Sequence, residues 1–301
     1  MNTPVNRRQF LLQSSALMSA TLLGTHASGT PARKYKMGLQ LFTIRQDLDK
    51  DLKGTLGKVK AIGYEDSETY GYDADKGTYY GVKAADFKKL LEDNSLTTTS
   101  GHYNFHPFMN KSMDDLAKFT DSCIAGAKTL GQKYITWPWL DPDSRTIDKF
   151  RQLAAKLNFV GERVVKSGLG FAYHNHDYEF FESDGTTGYD VVMKETDPNL
   201  VKLQIDLYWV AHSSKRSAAE LIALQPGRFV MWHIKDMDPK SRDYSELGNG
   251  TIDFTVILPL ASKAGMEYYY IEQGGNFQHN PIQSITDSAV YFRKNLEKYL
   301  G

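Results

Sequence analysis

Four strand-like apolar runs in the second half of this chain each end on side chains of the kind that bind metal ions. They are Phe171-Ala172-Tyr173-His174-Asn175-His176, Leu203-Gln204-Ile205-Asp206, Val230-Met231-Trp232-His233 and Tyr269-Tyr270-Ile271-Glu272. Roughly one β/α unit separates each from the next. If they are parallel strands of one barrel, their C-terminal ends converge on a single mouth. Imidazoles and carboxylates gathered there make a mixed nitrogen and oxygen cage for a borderline or hard divalent ion. One such residue alone is more often a helix cap or a loop side chain. Four at the same register and spacing point to a metal-dependent enzyme.

The residues around these ends suggest further roles. Strand alternation sends His174 and His176 to the same face, so either imidazole could serve as the ligand from that run. We take His174 as the ligand, with Asp206, His233 and Glu272, and leave His176 for proton transfer. Lys235 follows His233 on the same face, where a nearby metal would lower its pKa and fit it for acid or base work. Glu272 is a third candidate for carrying the proton. Trp209, just after Asp206, could wall a sugar-sized pocket together with Tyr208. Earlier runs end on weaker candidates for substrate contact: Gln40, Glu68, His102 and, in Trp137-Pro138-Trp139, Trp137.

These residues need elements to hold them. Apolar runs predict strands over 35–43, 64–69, 96–102, 134–139, 169–174, 201–207, 229–235 and 267–272. Several are continuous rather than alternating, as expected of strands covered on both faces. Apolar positions at helical spacing, such as Leu48, Leu52, Leu56, Val59 and Ile62, predict a helix over 48–62. Further helices are expected over 84–92, 113–130, 147–166, 188–195, 218–223, 254–264 and 285–299. Gly63, Gly131, Gly168 and Gly265 sit between helix and strand, where left-handed C-caps are needed. Strict alternation of this kind over about 270 residues is the pattern of a single (β/α)8 TIM barrel, class α/β, spanning 33–301. An open doubly wound sheet would want a phosphate loop after an early strand, and no G-x-G-x-x-G or Walker pattern is present.

The 301 residues carry 36 basic and 36 acidic side chains, a formal net charge of zero. That gives no electrostatic case for a nucleic-acid partner or an anionic membrane. The 18 Tyr and 4 Trp suit a carbohydrate site as well as a core. The single Cys123 permits no intrachain disulfide. Residues 1–27 read as a twin-arginine export signal. Asn6-Arg7-Arg8-Gln9-Phe10-Leu11 is followed by an apolar, small-residue stretch to Gly24 and a cleavage site at Thr25-His26-Ala27. The expected location is therefore the periplasm, with no membrane anchor after cleavage.

On these residues the chain after its leader resembles the sugar phosphate isomerase/epimerase superfamily, with its xylose-isomerase-like barrel. The stretches that carry the resemblance are Tyr173-His174-Asn175-His176-Asp177-Tyr178-Glu179-Phe180, Gln204-Ile205-Asp206-Leu207-Tyr208-Trp209, Gly227-Arg228, His233-Ile234-Lys235-Asp236-Met237, Glu246-Leu247-Gly248-Asn249-Gly250 with Ile252-Asp253-Phe254, and Glu272-Gln273. The resemblance implies one divalent ion (Mn, Mg, Co or Zn) held by Glu, Asp, His and Glu from strands five to eight. The last three match Asp206, His233 and Glu272. Where many relatives read Glu-Asn-His, this chain reads His174-Asn175-His176. Relatives that epimerise ketoses use two facing glutamates, and here one is replaced. The exported His-Asn-His subgroup resembles enzymes acting on keto-sugars or inosose-like rings. The expected function is proton abstraction beside a ketone followed by elimination or hydration, as in a 3-keto-glycoside lyase or an inosose dehydratase. The alternative is a sugar isomerase or epimerase. A non-catalytic periplasmic sugar-binding barrel and an endonuclease IV-like phosphodiesterase stand further back. The partner is a small sugar substrate, with homo-oligomerisation left open.

Overall fold

The computed structural model describes residues 34–183 and 185–300; the export signal expected over 1–27 lies outside these residues. Eight parallel strands close into a barrel: β1 Gly38–Gln40, β2 Asp66–Thr69, β3 Thr97–His102, β4 Tyr134–Trp137, β5 Gly170–His174, β6 Lys202–Asp206, β7 Met231–Ile234 and β8 Tyr268–Ile271. Each strand pairs with its neighbours in sequence, and β8 returns to β1 with Tyr270 beside Gly38. All eight fall within the runs that the sequence marks. Every residue of β1, β2, β4 and β7 is buried, which explains why they show no alternation.

The long helices form where apolar periodicity and caps agree. Helices Met113–Leu130, Ile147–Lys166 and Gly188–Glu195 have the expected bounds. Ser112, Thr146 and Thr187 accept from the backbone N–H three residues on and so start them. Gly63, Gly131 and Gly265 end their helices in the left-handed conformation, and Gly168 adopts it one residue beyond its helix cap.

Three expected helices are interrupted. The one over 48–62 is two, Arg45–Lys50 and Leu52–Ile62, because Asp51 leaves helical geometry and caps the second by accepting from Gly54 N–H. The one over 254–264 passes through a 3-10 turn at Leu258–Leu260, where Pro259 has no N–H to donate. The last begins earlier, at Pro281 behind the Asn280 cap, and loosens into a π turn at Phe292–Leu296. The strand expected over 35–43 stops at Gln40, whose side-chain oxygen accepts from Phe42 N–H and turns the chain.

Short ribbons decorate the C-terminal rim. They are a three-stranded sheet (Tyr72–Asp73, Thr78–Tyr79, Val82–Lys83) and the hairpins Glu182–Ser183 with Thr186–Thr187 and Asp236–Met237 with Tyr244–Ser245. The last hairpin leads into a tightly wound turn. The Asp236 carboxylate accepts from the backbone N–H of Gly248 at 3.0 Å, Gly250 at 3.2 Å and Ile252 at 3.1 Å. A Cβ at Gly250 would strike that carboxylate, so only glycine fits there. This contact accounts for the Lys-Asp and Gly-Asn-Gly stretches as one folded unit.

Candidate metal centre and active site

Alternation along the barrel strands brings the expected ligands together at one end. Asp206 closes β6, His233 lies in β7 beside it in register, and His174 closes β5. Lys235 and Glu272 each stand one residue past the ends of β7 and β8. Asp206 does two jobs. Its Oδ1 caps the helix Leu207–Ser213, accepting from Tyr208 N–H at 3.0 Å and Trp209 N–H at 3.2 Å. Its Oδ2 is left for the site. Asn175 holds the strand end in place by accepting from Asp206 N–H at 3.1 Å.

The donor atoms crowd without satisfying one another. His233 Nδ1 lies 2.6 Å from Glu272 Oε2 and 3.9 Å from Asp206 Oδ2, and His174 Nε2 lies 3.8 Å from Asp206 Oδ2. Asp206 Oδ2, Glu272 Oε2 and His233 Nδ1 are all buried, and the two carboxylate oxygens also lie 2.7 and 2.9 Å from the Lys235 ammonium. One ligand atom from each of Asp206, His233 and Glu272 lies within 4.8 Å of the other two. Two carboxylates buried side by side need positive charge next to them. Lys235 supplies part of it, and the same two carboxylate oxygens with the imidazole nitrogen form a donor set that fits a divalent cation of the nitrogen and oxygen class. The rings of His102, His174 and His233 also face one another, with centroids 4.5 to 5.3 Å apart.

The electrostatics divide the site into donors and acceptors of protons. Burial works against the charge of Lys235, but the Asp206 and Glu272 carboxylates, 2.7 and 2.9 Å from its Nζ, outweigh it and raise its pKa. The lowered lysine expected from the sequence is one with a metal ion beside it; between these two carboxylates alone Lys235 is an ammonium. Burial would raise the Glu272 carboxyl, yet Lys235 and His233 hold it below the usual carboxylate range. Asp206 is raised by burial, partly offset by Lys235 and His233. Burial opposes a charge on His233 too, but Glu68 and Glu272 push it up to about 9. His174 is driven well below the usual value by burial and then by His233, and His176 by burial and then by Lys235. Both are neutral imidazoles at neutral pH.

Above this floor opens a cavity of about 480 Å³. His102, His174, His176, Lys235 and Glu272 reach it from below, and Trp209 reaches it from the side, as expected. Asp206 and His233 lie beneath it, fully buried. Trp209 Nε1 and His176 Nδ1 are buried without hydrogen-bond partners, so both are available to a ligand.

Three residues expected to contact substrate are placed elsewhere. Gln40 and Glu68 are fully buried and spend their polar atoms on each other and on neighbouring strands, Gln40 Nε2 donating to Glu68 Oε2 at 2.6 Å. Trp137 points out of the barrel toward the helices. It stacks on Phe105 at 4.9 Å and donates from Nε1 to the Trp139 carbonyl. Thr136, one residue earlier, faces inward and contacts Ser100. It is Trp139 that lines the cavity, together with Tyr70, Tyr72 and Tyr244, which the sequence reading did not single out. Alternation within Tyr134-Ile135-Thr136-Trp137 carries the signal for the outward Trp137. The tyrosines come from the short rim ribbons and from the chain beside them, which no periodicity marks.

The comparisons with known proteins agree with this geometry. The chain aligns over 91% of its length with 98% of a sugar phosphate isomerase/epimerase from Parabacteroides distasonis ATCC 8503, at 26% identity and a TM-score of 0.78. A second sugar phosphate isomerase/epimerase from the same organism aligns over 87% of this chain and 99% of its own, at 28% identity and a TM-score of 0.75. The IolI protein, solved with a bound zinc atom, shares the fold at 16% identity and a TM-score of 0.68, over 88% of this chain and 99% of its own. No curated protein matches the chain. The family model for xylose isomerase-like TIM barrels matches residues 56–294, and the chain belongs to that family.

Proposed function

We propose that this protein is a divalent-metal-dependent enzyme that acts on a keto-sugar or cyclitol ketone by elimination or hydration beside the ketone. The observation that carries the reading is the convergence of the buried Asp206 Oδ2, His233 Nδ1 and Glu272 Oε2 beneath a cavity with aromatic walls. Those three residues, with His174, would hold the ion. When bound, it supplies positive charge at the ketone oxygen, which acidifies the adjacent C–H. The zinc of the IolI protein and the sugar phosphate isomerase/epimerase neighbours support a metal and a sugar-like substrate.

The choice of elimination rests on unlike proton carriers. His176 is a neutral imidazole with an unpartnered nitrogen at the cavity. Lys235 is an ammonium at the same floor. Epimerisation asks for two similar bases on opposite faces of a planar intermediate. Elimination asks for one base and one acid. His176 takes the proton from the carbon beside the ketone. The electron pair of that C–H bond becomes the new double bond as the β C–O bond breaks, and the departing oxygen takes a proton from Lys235. The reverse sequence adds water. Glu272, held as a carboxylate, serves as ligand and second candidate base. Trp209 and Trp139 offer faces and edges to a ring.

Product analysis by NMR in deuterated water tests this, with a 3-keto-glycoside and free ketohexoses offered side by side. The keto-glycoside should lose its β-substituent, chelation should stop the loss, and Mn should restore it. Rapid isomerisation of the ketohexoses with the keto-glycoside untouched would favour the isomerase reading. Turnover of neither would favour a sugar-binding barrel. We also infer export by the twin-arginine route from the Arg7-Arg8 motif. Replacing both by Lys should leave unprocessed protein in the cytoplasm, and normal export of that variant would refute it.

A further inference from the structure

Barrels hold phosphate groups with backbone N–H donors and cationic side chains at the C-terminal rim, most often in the loops after the seventh and eighth strands. In this protein those loops spend their donors internally. After β7, the N–H groups of Gly248, Gly250 and Ile252 converge as an anion cradle would, but the Asp236 carboxylate already fills it. After β8, Gln273 N–H donates to Thr43 Oγ1 at 3.1 Å and Gln278 N–H to Glu246 Oε1 at 3.0 Å. Glu246 is itself buried and also accepts from Ser284 Oγ. Other rim turns repeat the pattern. Gln40 takes Phe42 N–H, Glu179 takes His176 N–H, and Asp206 takes those of Tyr208 and Trp209.

The cations are matched as well. Lys235 is the one Lys or Arg among the described residues that line the cavity, and its Nζ lies between Asp206 and Glu272. Arg45 stacks on Phe42 of the cavity wall at 4.2 Å and donates to the carbonyls of Phe42 and Gly274. Arg145 lies over Trp139 of the same wall at 5.4 Å and donates twice to the Leu140 carbonyl. Asp73, also in the lining, is paired with Lys76 at 2.8 Å. What the wall leaves for a ligand is uncharged: the rings of Tyr70, Trp139 and Tyr244, the Asn104 amide, and the Trp209 Nε1–H, which has no protein partner. A phosphate that entered would give up water without gaining a cation or a backbone N–H from the wall. A polyol ring gives up far less and meets aromatic faces and single donors.

We propose that the substrate is a neutral keto-sugar or keto-glycoside that carries no phosphate. The inference rests on the keto-sugar reading of this cavity and narrows it.

Methyl 3-keto-glucoside and its 6-phosphate, offered to the full-chain protein, make the test. Saturation-transfer NMR on metal-free protein reads what the walls alone hold, so capture of the phosphate by an ion does not enter. Product NMR with Mn gives kcat/KM. The neutral ketone should be favoured about tenfold or more in both measurements, because the phosphate leaves its charge unmatched. A phosphate that binds the metal-free protein, or is consumed, as well as the neutral ketone would overturn the inference and leave the keto-sugar reading standing. Binding and turnover of neither compound would sink that reading and this inference with it. Both measurements use the wild type, so no variant has to fold.

Discussion

At the residue scale, the buried Glu179 is an acid whose ionisation works against the fold. Its Oε1 accepts from Tyr173 O–H at 2.6 Å and its Oε2 from His176 N–H at 2.9 Å. Burial pushes its pKa up to about 8, only partly offset by those two bonds. A carboxyl whose folded pKa is raised contributes fully below its unfolded pKa of about 4.5 and loses that contribution as pH rises through about 8. Glu179→Gln removes this cost. It also turns an amide N–H toward one donor, a pH-independent loss of about 1–3 kcal/mol. The variant should therefore be the less stable protein near pH 5 and should gain on wild type by up to about 4–5 kcal/mol toward pH 9. Urea unfolding at pH 5, 7 and 9 checks this; a stability difference that does not change with pH would contradict the buried-acid account. Legibility at this scale depended on how many roles a side chain could play. Asp206, His233 and Glu272 were readable because strand ends in a barrel leave few other uses for such residues. Glu68 was placed among substrate contacts because a carboxylate on a barrel strand looks the same in sequence whether it faces a ligand or five neighbouring donors. The two carboxylates that hold the Lys235 ammonium were not legible beside it, because they come from β6 and from beyond β8, distant in sequence.

At the element scale, the sequence read well where one physical signal ran uninterrupted. Helices Met113–Leu130 and Ile147–Lys166 combine an apolar stripe, a Ser or Thr cap and a stop signal, and their bounds are as expected. Where two signals compete, the local one wins. Asp51 is an acceptable helix residue by position in the 48–62 stripe, but its carboxylate finds Gly54 N–H and restarts the helix. Pro259 similarly breaks a stripe that the apolar pattern alone would carry through. The rim ribbons were invisible because their strands are two residues long, too short for period-two alternation to be recognised. They supply part of the aromatic lining, Tyr72 from the three-stranded sheet and Tyr244 from the hairpin after β7. The barrel strands and the side chains they gather at one end could thus be read, while much of the cavity wall could not.

At the scale of the whole molecule, the candidate metal centre ties together strands that are far apart in the chain. Its four residues lie between His174 and Glu272 and are held by β5 through β8 and the turns that leave them. The unfolded chain cannot present that set at once, so a bound ion favours the folded state by mass action. The stabilisation is about 4 kcal/mol when free ion exceeds its dissociation constant a thousandfold. For a domain of this size each kcal/mol moves the melting midpoint by about 2–4 °C, so saturation should raise it by roughly 10 °C. Asp206→Asn keeps the helix-capping Oδ1 and replaces the site-facing oxygen with an amide nitrogen, so it should fold yet lose most of that shift. Thermal melts of wild type and variant, each with chelator and with Mn or Zn, make the comparison. Equal midpoints for wild type with and without the ion would mean that the buried ligand atoms of Asp206, His233 and Glu272 gather for some purpose other than holding a metal ion. Lys235 would then be the site's permanent counter-charge, and the proton chemistry would have to proceed on His176 and Lys235 alone.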